Sequence, residues 1–149
     1  MKVFIIRHAQ SANNLLGETV LYDDYMAQRD PEPPLTELGH RQAALLAEHL
    51  ADNSHPERKH EEEGRGYALT RLFCSPMLRT LQTALPVSQA TGLKPQVWVA
   101  IHEQGGIFRG NPRNGGEVVG FPGLTRREIA KQFPGYVLPR EMRDEGWWF

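Results

Sequence analysis

The sequence predicts an α/β domain, a three-layer α/β/α sandwich with a mostly parallel sheet. Residues 3–6 form a continuous apolar run, which is typical of a strand buried on both faces. Strand-like and helix-like segments then alternate along the chain, which is the order that parallel βαβ units produce. The length of 149 residues suits one such domain, over residues 1–149.

The bulk composition excludes several classes of protein. A net charge of −1 argues against a general affinity for nucleic acid or anionic membranes. The single cysteine excludes an internal disulfide and a cysteine-based zinc site. No apolar run approaches the roughly 20 residues that span a bilayer. We therefore expect a cytoplasmic protein with no nucleic-acid or membrane partner.

In the first half of the chain, a polar turn at residues 10–14 follows the first strand. Residues 15–29 predict a loop with a short helix. Apolar positions recur at helical spacing over residues 36–52, with Thr36 as the N-cap. Residues 54–66 are charged and nearly free of apolar side chains, which predicts a solvated, mobile loop.

The second half begins with a short buried strand at residues 72–74. Ser75 and Pro76 follow it and predict a helix start, with serine at the N-cap and proline at the first helical position. Gly92 is a typical helix end. Alternating apolar residues predict a third strand over residues 96–101.

Residues 104–123 are rich in Gly, Asn and Pro and predict a long loop. Thr125 and Glu128 have the spacing of a capping box that opens a last helix.

Five polar residues follow predicted strands at the carboxyl edge of the sheet, where α/β proteins bind ligands. Arg7 and His8 follow the first strand, Asn14 lies in the next loop, Arg79 lies early in the helix after the second strand, and Glu103 follows the third. Two guanidinium groups suit a phosphate, an imidazole suits attack on phosphorus, and a carboxyl suits proton donation to a leaving alkoxide.

Three segments resemble signatures of the histidine phosphatase (phosphoglycerate mutase-like) superfamily. Residues 7–14 resemble R-H-[GA]-x-[ST]-x-x-N, residues 35–43 resemble L-T-x-x-G-x-x-Q-A, and residues 74–84 are similar to S-P-x-x-R-x-x-x-T-A. The resemblance runs from about residue 2 to Glu103.

The resemblance implies phosphomonoester hydrolysis through a phosphohistidine intermediate on His8. It implies Arg7, Asn14 and Arg79 as phosphate ligands and Glu103 as proton donor. It also implies a small phosphorylated substrate, with neither a metal nor an organic cofactor.

The chain departs from the family in one serious respect. Members carry a second catalytic histidine after a late strand, whereas no histidine follows Glu103 here. The sequence ends on three aromatic residues at 147–149, and we expect it to be a truncated version of a longer protein whose distal part follows Phe149. Two alternatives remain open: mutase-type phosphoryl transfer, and a non-catalytic module that binds a phosphate ligand.

Two further pairs of residues could have a function, but each also has a simpler structural explanation. Cys74 and Arg79 form C-x4-R, one residue short of the C-x5-R loop of cysteine phosphatases, and a buried cysteine is usually a small apolar side chain. Arg109 and Arg113 could bind a second acidic group of a substrate, although arginines in polar loops are more often surface charges.

Overall fold

The computed structural model describes residues 2–52, 67, 69–111, 113, 115 and 117–148, so the expected charged loop at 54–66 lies outside the described residues. The helices are α1 (Ala12–Thr19), α2 (Tyr22–Gln28), α3 (Glu37–Ala51), α4 (Leu78–Thr91) and α5 (Arg126–Gln132). The strands are β1 (Leu72–Cys74), β2 (Pro95–Val97), β3 (Phe108–Arg109) and β4 (Val119–Gly120).

The predicted α/β class is confirmed, because the described chain combines helices with a parallel sheet. Strands β1 and β2 pair in parallel, with Cys74 opposite Val97, and α4 connects them. A single bridge at Val137 adds to the other edge of β2, through Val97 N–H to Val137 C=O (2.9 Å). Helix α3 packs mainly on α4.

The strand predicted at residues 3–6 is wrong. These residues have no regular secondary structure, and the side chain of Ile5 is 95% exposed. An apolar run becomes a strand only beside a partner that supplies ladder hydrogen bonds. Within the described residues β1 pairs with β2 alone, so no strand is aligned with this run.

The third predicted strand is half as long as expected. β2 ends at Val97, and Val99–Ile101 form a 3-10 turn instead. The partner strand β1 ends at Cys74, whose carbonyl accepts the last ladder bond from Trp98 N–H (2.9 Å). Because Pro76 follows soon after and has no N–H, the ladder cannot continue and the chain turns.

Helix α4 begins two residues later than Ser75-Pro76 predicts. Its N-cap is Met77, and its first amide, on Leu78, donates to a carboxylate oxygen of Glu32 (2.7 Å). A carboxylate brought from another segment therefore caps this helix, where it also benefits from the helix dipole. Gly92 ends the helix in the left-handed region, as predicted, with φ 72°.

Helix α3 is confirmed, since Thr36 caps it by accepting a hydrogen bond from Gly39 N–H (3.0 Å). The capping box of Thr125 and Glu128 is also present at α5. The turn predicted at residues 10–14 is instead the start of α1, with Ser11 as its N-cap.

Two other regions hold more regular structure than predicted. Residues 15–29 contain parts of two helices, α1 and α2, and the expected long loop at 104–123 contains the antiparallel pair β3–β4. No helix in the described part of the chain is both long and apolar enough to cross a membrane.

The main core lies between α4, β2, α5 and the segment after α5, and it includes Trp147. The core side chains are Cys74, Met77, Leu81, Ala84, Val97, Ile107, Ile129, Phe133, Met142 and Trp147. Two of the late aromatic residues belong to this core: Trp147 is 3% exposed and Trp148 packs against the core, whereas Phe149 is outside the described residues.

Gly39 lets the first turn of α3 lie directly on the segment after His8. A Cβ at position 39 would overlap the carbonyl oxygen of Gln10, a backbone atom that cannot move aside easily. The same carbonyl accepts a hydrogen bond from Thr36 N–H (3.0 Å), which holds the two segments together.

Replacing this glycine should therefore damage the fold locally. We expect Gly39→Ala to lower the free energy of unfolding by about 1–3 kcal/mol, the usual range for overpacking a tight contact. The matched control is Gly17→Ala in α1, where the nearest side chain, Tyr25, is 3.7 Å from the new Cβ. This control should raise stability by up to about 1 kcal/mol. Urea unfolding followed by circular dichroism measures both, and equal stability of the two variants would contradict the close approach.

Candidate active site

The segment that carries His8 is held by side chains rather than by a strand ladder. Ala9 N–H donates to the hydroxyl of Thr83 on α4 (3.1 Å), and Gln10 N–H donates to the side-chain oxygen of Gln42 on α3 (2.9 Å). Both acceptors lie on packed helices. They place the backbone after His8 against the α3–α4 pair without a strand beneath it.

The hydrogen bonds of His8 define one neutral tautomer. Its Nδ1 lies 2.7 Å from the carbonyl oxygen of Ala9, which can only accept, so Nδ1 carries the proton. Its Nε2 lies 3.1 Å from Nε of Arg79, which can only donate, so Nε2 presents a lone pair. The ring therefore points its nucleophilic nitrogen at a guanidinium.

The surroundings of His8 also favour the neutral form. Burial lowers the pKa of its imidazole below 6.5, and the charges of Arg79 and Arg7 act in the same direction. The hydrogen bond to Ala9 and the charge of Glu103 oppose this effect. The net result is a histidine that is unprotonated at neutral pH.

Arg79 joins His8 to Glu103. Its side chain is 7% exposed and projects from the first turn of α4, with Nη2 donating to a carboxylate oxygen of Glu103 and Nε donating to His8. The Glu103 side chain is 69% exposed, so it is positioned at the mouth of the site. A buried guanidinium requires such partners, because an unpaired buried charge is costly.

Asn14 is held with its amide group in one orientation. Its Oδ1 accepts from both the backbone N–H and the hydroxyl of Ser11, each at 3.0 Å, as part of the α1 capping box. Both oxygen lone pairs are thereby used. Its Nδ2 makes no hydrogen bond with any described residue, so two donors are available to an anion.

These groups line one cleft of about 250 Å³, called here the His8 cleft. The structure brings together all five site residues predicted from the sequence. The lining residues are Arg7, His8, Ser11, Asn13, Asn14, Tyr25, Arg29, Pro33, Arg79, Glu103, Gln104, Gly106 and Phe108.

Sequence reasoning missed Arg29 and the aromatic residues Tyr25 and Phe108. Nothing in the local sequence marks them, because they reach the cleft through the end of α2, in a region where only a loop with a short helix was expected, and through the β3–β4 pair, which was not predicted. Arg109 and Arg113, the arginines suggested for a second acidic group, do not line the cleft. They stack instead on Phe121 (5.3 Å) and Tyr22 (4.4 Å) respectively.

Two other side chains that could carry chemistry, Cys74 and His102, lie outside the cleft. Cys74 is buried in the core, and burial raises the pKa of its thiol to about 12, so it is protonated at neutral pH. His102 bonds through Nδ1 to Val99 C=O (2.8 Å) and its ring packs on Trp148. In the part of the chain that the structure describes, no three His, Cys, Asp or Glu side chains are grouped as a metal site.

The family is shown by comparison with known proteins. A model of the histidine phosphatase superfamily (branch 1) matches residues 3–147, so the chain belongs to that superfamily. A probable phosphoglycerate mutase from Yersinia enterocolitica is 32% identical over 94 residues, and a phosphoserine phosphatase from Hydrogenobacter thermophilus is 33% identical over 94. Each match covers 63% of this chain and 34% of the relative, so the chain matches about a third of the length of these proteins.

A solved structure supports the same fold. The ecdysone phosphate phosphatase of Bombix mori, crystallised with tungstate, superimposes with a TM-score of 0.51 at 18% identity. The match covers 93% of this chain and 57% of that one. The fold is therefore that of a histidine phosphatase, in a superfamily whose members here bear both phosphatase and mutase names.

The environment of His8 predicts a measurable titration. We expect its ring to titrate below pH 6.5 in the wild type. Arg79→Ala should raise this pKa, because the variant removes a cation and admits water, whereas Arg79→Lys should keep it low. Proton NMR of the ring signals against pH measures all three, and a wild-type pKa above 6.5 would contradict the described surroundings.

Proposed function

We propose that this chain hydrolyses small phosphomonoesters through a phosphohistidine on His8. The observation that carries the proposal is the contact between the Nε2 lone pair of His8 and the buried guanidinium of Arg79. A nucleophile thereby lies beside the group best suited to hold a phosphate oxygen. Membership of the superfamily supports the reaction class, because phosphatases occur in it.

In the first half-reaction, Arg7, Arg79 and the free Nδ2 of Asn14 would hold the phosphoryl oxygens. Nε2 of His8 attacks phosphorus as the ester P–O bond breaks, and the alcohol leaves with a proton from Glu103. The equatorial charge that develops is stabilised by the arginines. The phosphate would have to displace Glu103 from Arg79, and the freed carboxylate would take up the proton of the substrate monoanion before it donates to the leaving oxygen.

In the second half-reaction, water attacks the phosphohistidine and gives up a proton to Glu103. The P–N bond breaks, inorganic phosphate leaves, and His8 regains its lone pair. No metal or organic cofactor enters this scheme. The cytoplasmic location stays a prediction.

The second candidate function is binding of a phosphate ligand without turnover. It is favoured by the absence of a second histidine among the described residues that line the His8 cleft. Mutase-type transfer is the other alternative. A mutase must retain the phosphate between its half-reactions, so it too would lack the contact that a second histidine makes. Burst kinetics with a phosphoglycerate and with an aryl phosphate would distinguish hydrolysis from mutase transfer.

Removing the nucleophile is the direct test. We expect His8→Ala to lower turnover of p-nitrophenyl phosphate by about 10³-fold or more and to abolish an acid-labile phosphoenzyme. The control is His40→Ala, an exposed histidine on α3, which should keep both. Cys74→Ala should also keep turnover. Unchanged turnover in His8→Ala disproves the mechanism, whereas bound phosphate without turnover in the wild type identifies the binding module.

Glu103 can be tested through the leaving group. We expect Glu103→Gln to slow hydrolysis of alkyl phosphates by about 10²-fold or more, since an alkoxide needs a proton to depart. Hydrolysis of p-nitrophenyl phosphate should slow much less, because nitrophenolate leaves unprotonated. Glu48→Gln, an exposed carboxyl on α3, is the control and should affect both substrates alike. An equal loss for both substrates in Glu103→Gln would exclude Glu103 as the proton donor.

A further inference from the structure

Arg29 is the one cation of the His8 cleft that the phosphatase scheme does not use. It caps the C-terminal end of α2, where its backbone N–H donates to Tyr25 C=O (2.8 Å). Its guanidinium carbon lies 4.6 Å from the ring centroid of Phe108 and 6.0 Å from that of Tyr25. All three residues line the cleft.

Among the described residues, Nε of the Arg29 guanidinium has no hydrogen-bond acceptor. This nitrogen is buried, and the guanidinium forms no ion pair with any described residue. Arg79, by contrast, donates to both His8 and Glu103. A buried donor left unpaired costs free energy, and a charged one costs more. A ligand that brings an acceptor to Arg29 would recover this energy.

The cleft holds one more arginine than the proposed phosphate contacts use. Its arginines are Arg7, Arg29 and Arg79, and its one carboxylate is Glu103. A single phosphoryl group held by Arg7, Arg79 and Asn14 leaves Arg29 without an anionic contact. The ring of Phe108 lies against the guanidinium and restrains it, which favours a planar, bidentate contact with an oxyanion.

We propose that Arg29 binds a second anionic group, a carboxylate or a phosphate, on the alcohol portion of the substrate. The substrate class is then a small phosphomonoester with two acidic groups. This inference rests on the proposed hydrolysis, because the second group is placed relative to a phosphate at His8.

The test compares substrates that differ in one acidic group. Two acids are used, phosphoglycolate and the longer 4-phosphohydroxybutyrate. Each is compared with the alkyl phosphate of the same chain that lacks the carboxyl group, and release of phosphate is measured. These compounds offer no free hydroxyl, so the release cannot arise from mutase transfer. We expect kcat/KM to favour at least one acid by about 10-fold to 100-fold, the value of a charged hydrogen bond.

Arg29→Gln should reduce this preference by tenfold or more. If that variant does not fold, Arg29→Met, which keeps the apolar part of the side chain, should show the same reduction. The matched control is Arg109→Gln, another arginine stacked on an aromatic ring but outside the cleft, which should keep the preference. An alkanediol bisphosphate in place of the carboxylates shows whether a second phosphate is preferred.

The two proposals fail differently. If turnover depends on His8 but Arg29→Gln leaves the preference unchanged, or if the wild type shows no preference for either second acid, the Arg29 inference is wrong and the hydrolysis stands. If His8→Ala keeps turnover, the hydrolysis mechanism is wrong. Calorimetric binding of phosphoglycolate and phosphohydroxybutyrate to His8→Ala, with and without Arg29→Gln, then tests the second contact without catalysis. Equal affinities in that pair overturn it.

Discussion

The hydrogen bond from Arg79 to His8 is the interaction on which the site depends. It joins residues 71 positions apart and brings a charged side chain of α4 against the segment before α1. A guanidinium this deeply buried is tolerated only with partners, and His8 and Glu103 provide them. The Glu32 cap on α4 and the Thr83 contact with Ala9 secure the two sides of that bond.

The helices and the candidate site could largely be predicted from the sequence, because their signals are local. The caps at Thr36 and Thr125 and the helix end at Gly92 involve residues within a turn of one another. The signature residues also came together, although the strand expected before Arg7 is absent. Their positions follow from side-chain anchors on α3 and α4, to which the second and third signature segments contribute.

The parts of the fold and site that were not predicted depend on contacts between distant segments, which no local sequence pattern indicates. The strand extents depend on how far a partner ladder continues, and β1 is too short to support the predicted length of β2. Glu32 lies between two prolines, and nothing in the sequence around it indicates that it caps a helix in another part of the chain. Arg29 seemed an ordinary polar residue, and its place in the cleft depends on α2 and β3 meeting there.

The late tryptophans give the cleft a structural support at its back. Gly106 lines the cleft, and the indole of Trp148 fills the space where its side chain would be. Trp147 occupies the corresponding space at Gly123. The part of the cleft wall at Gly106 is thus backed by an aromatic ring that lies some forty positions further along the chain. Ligand affinity would therefore be sensitive to changes near residues 147 and 148, and in a chain with Trp98 replaced the fluorescence of these two rings would report on the cleft without a label.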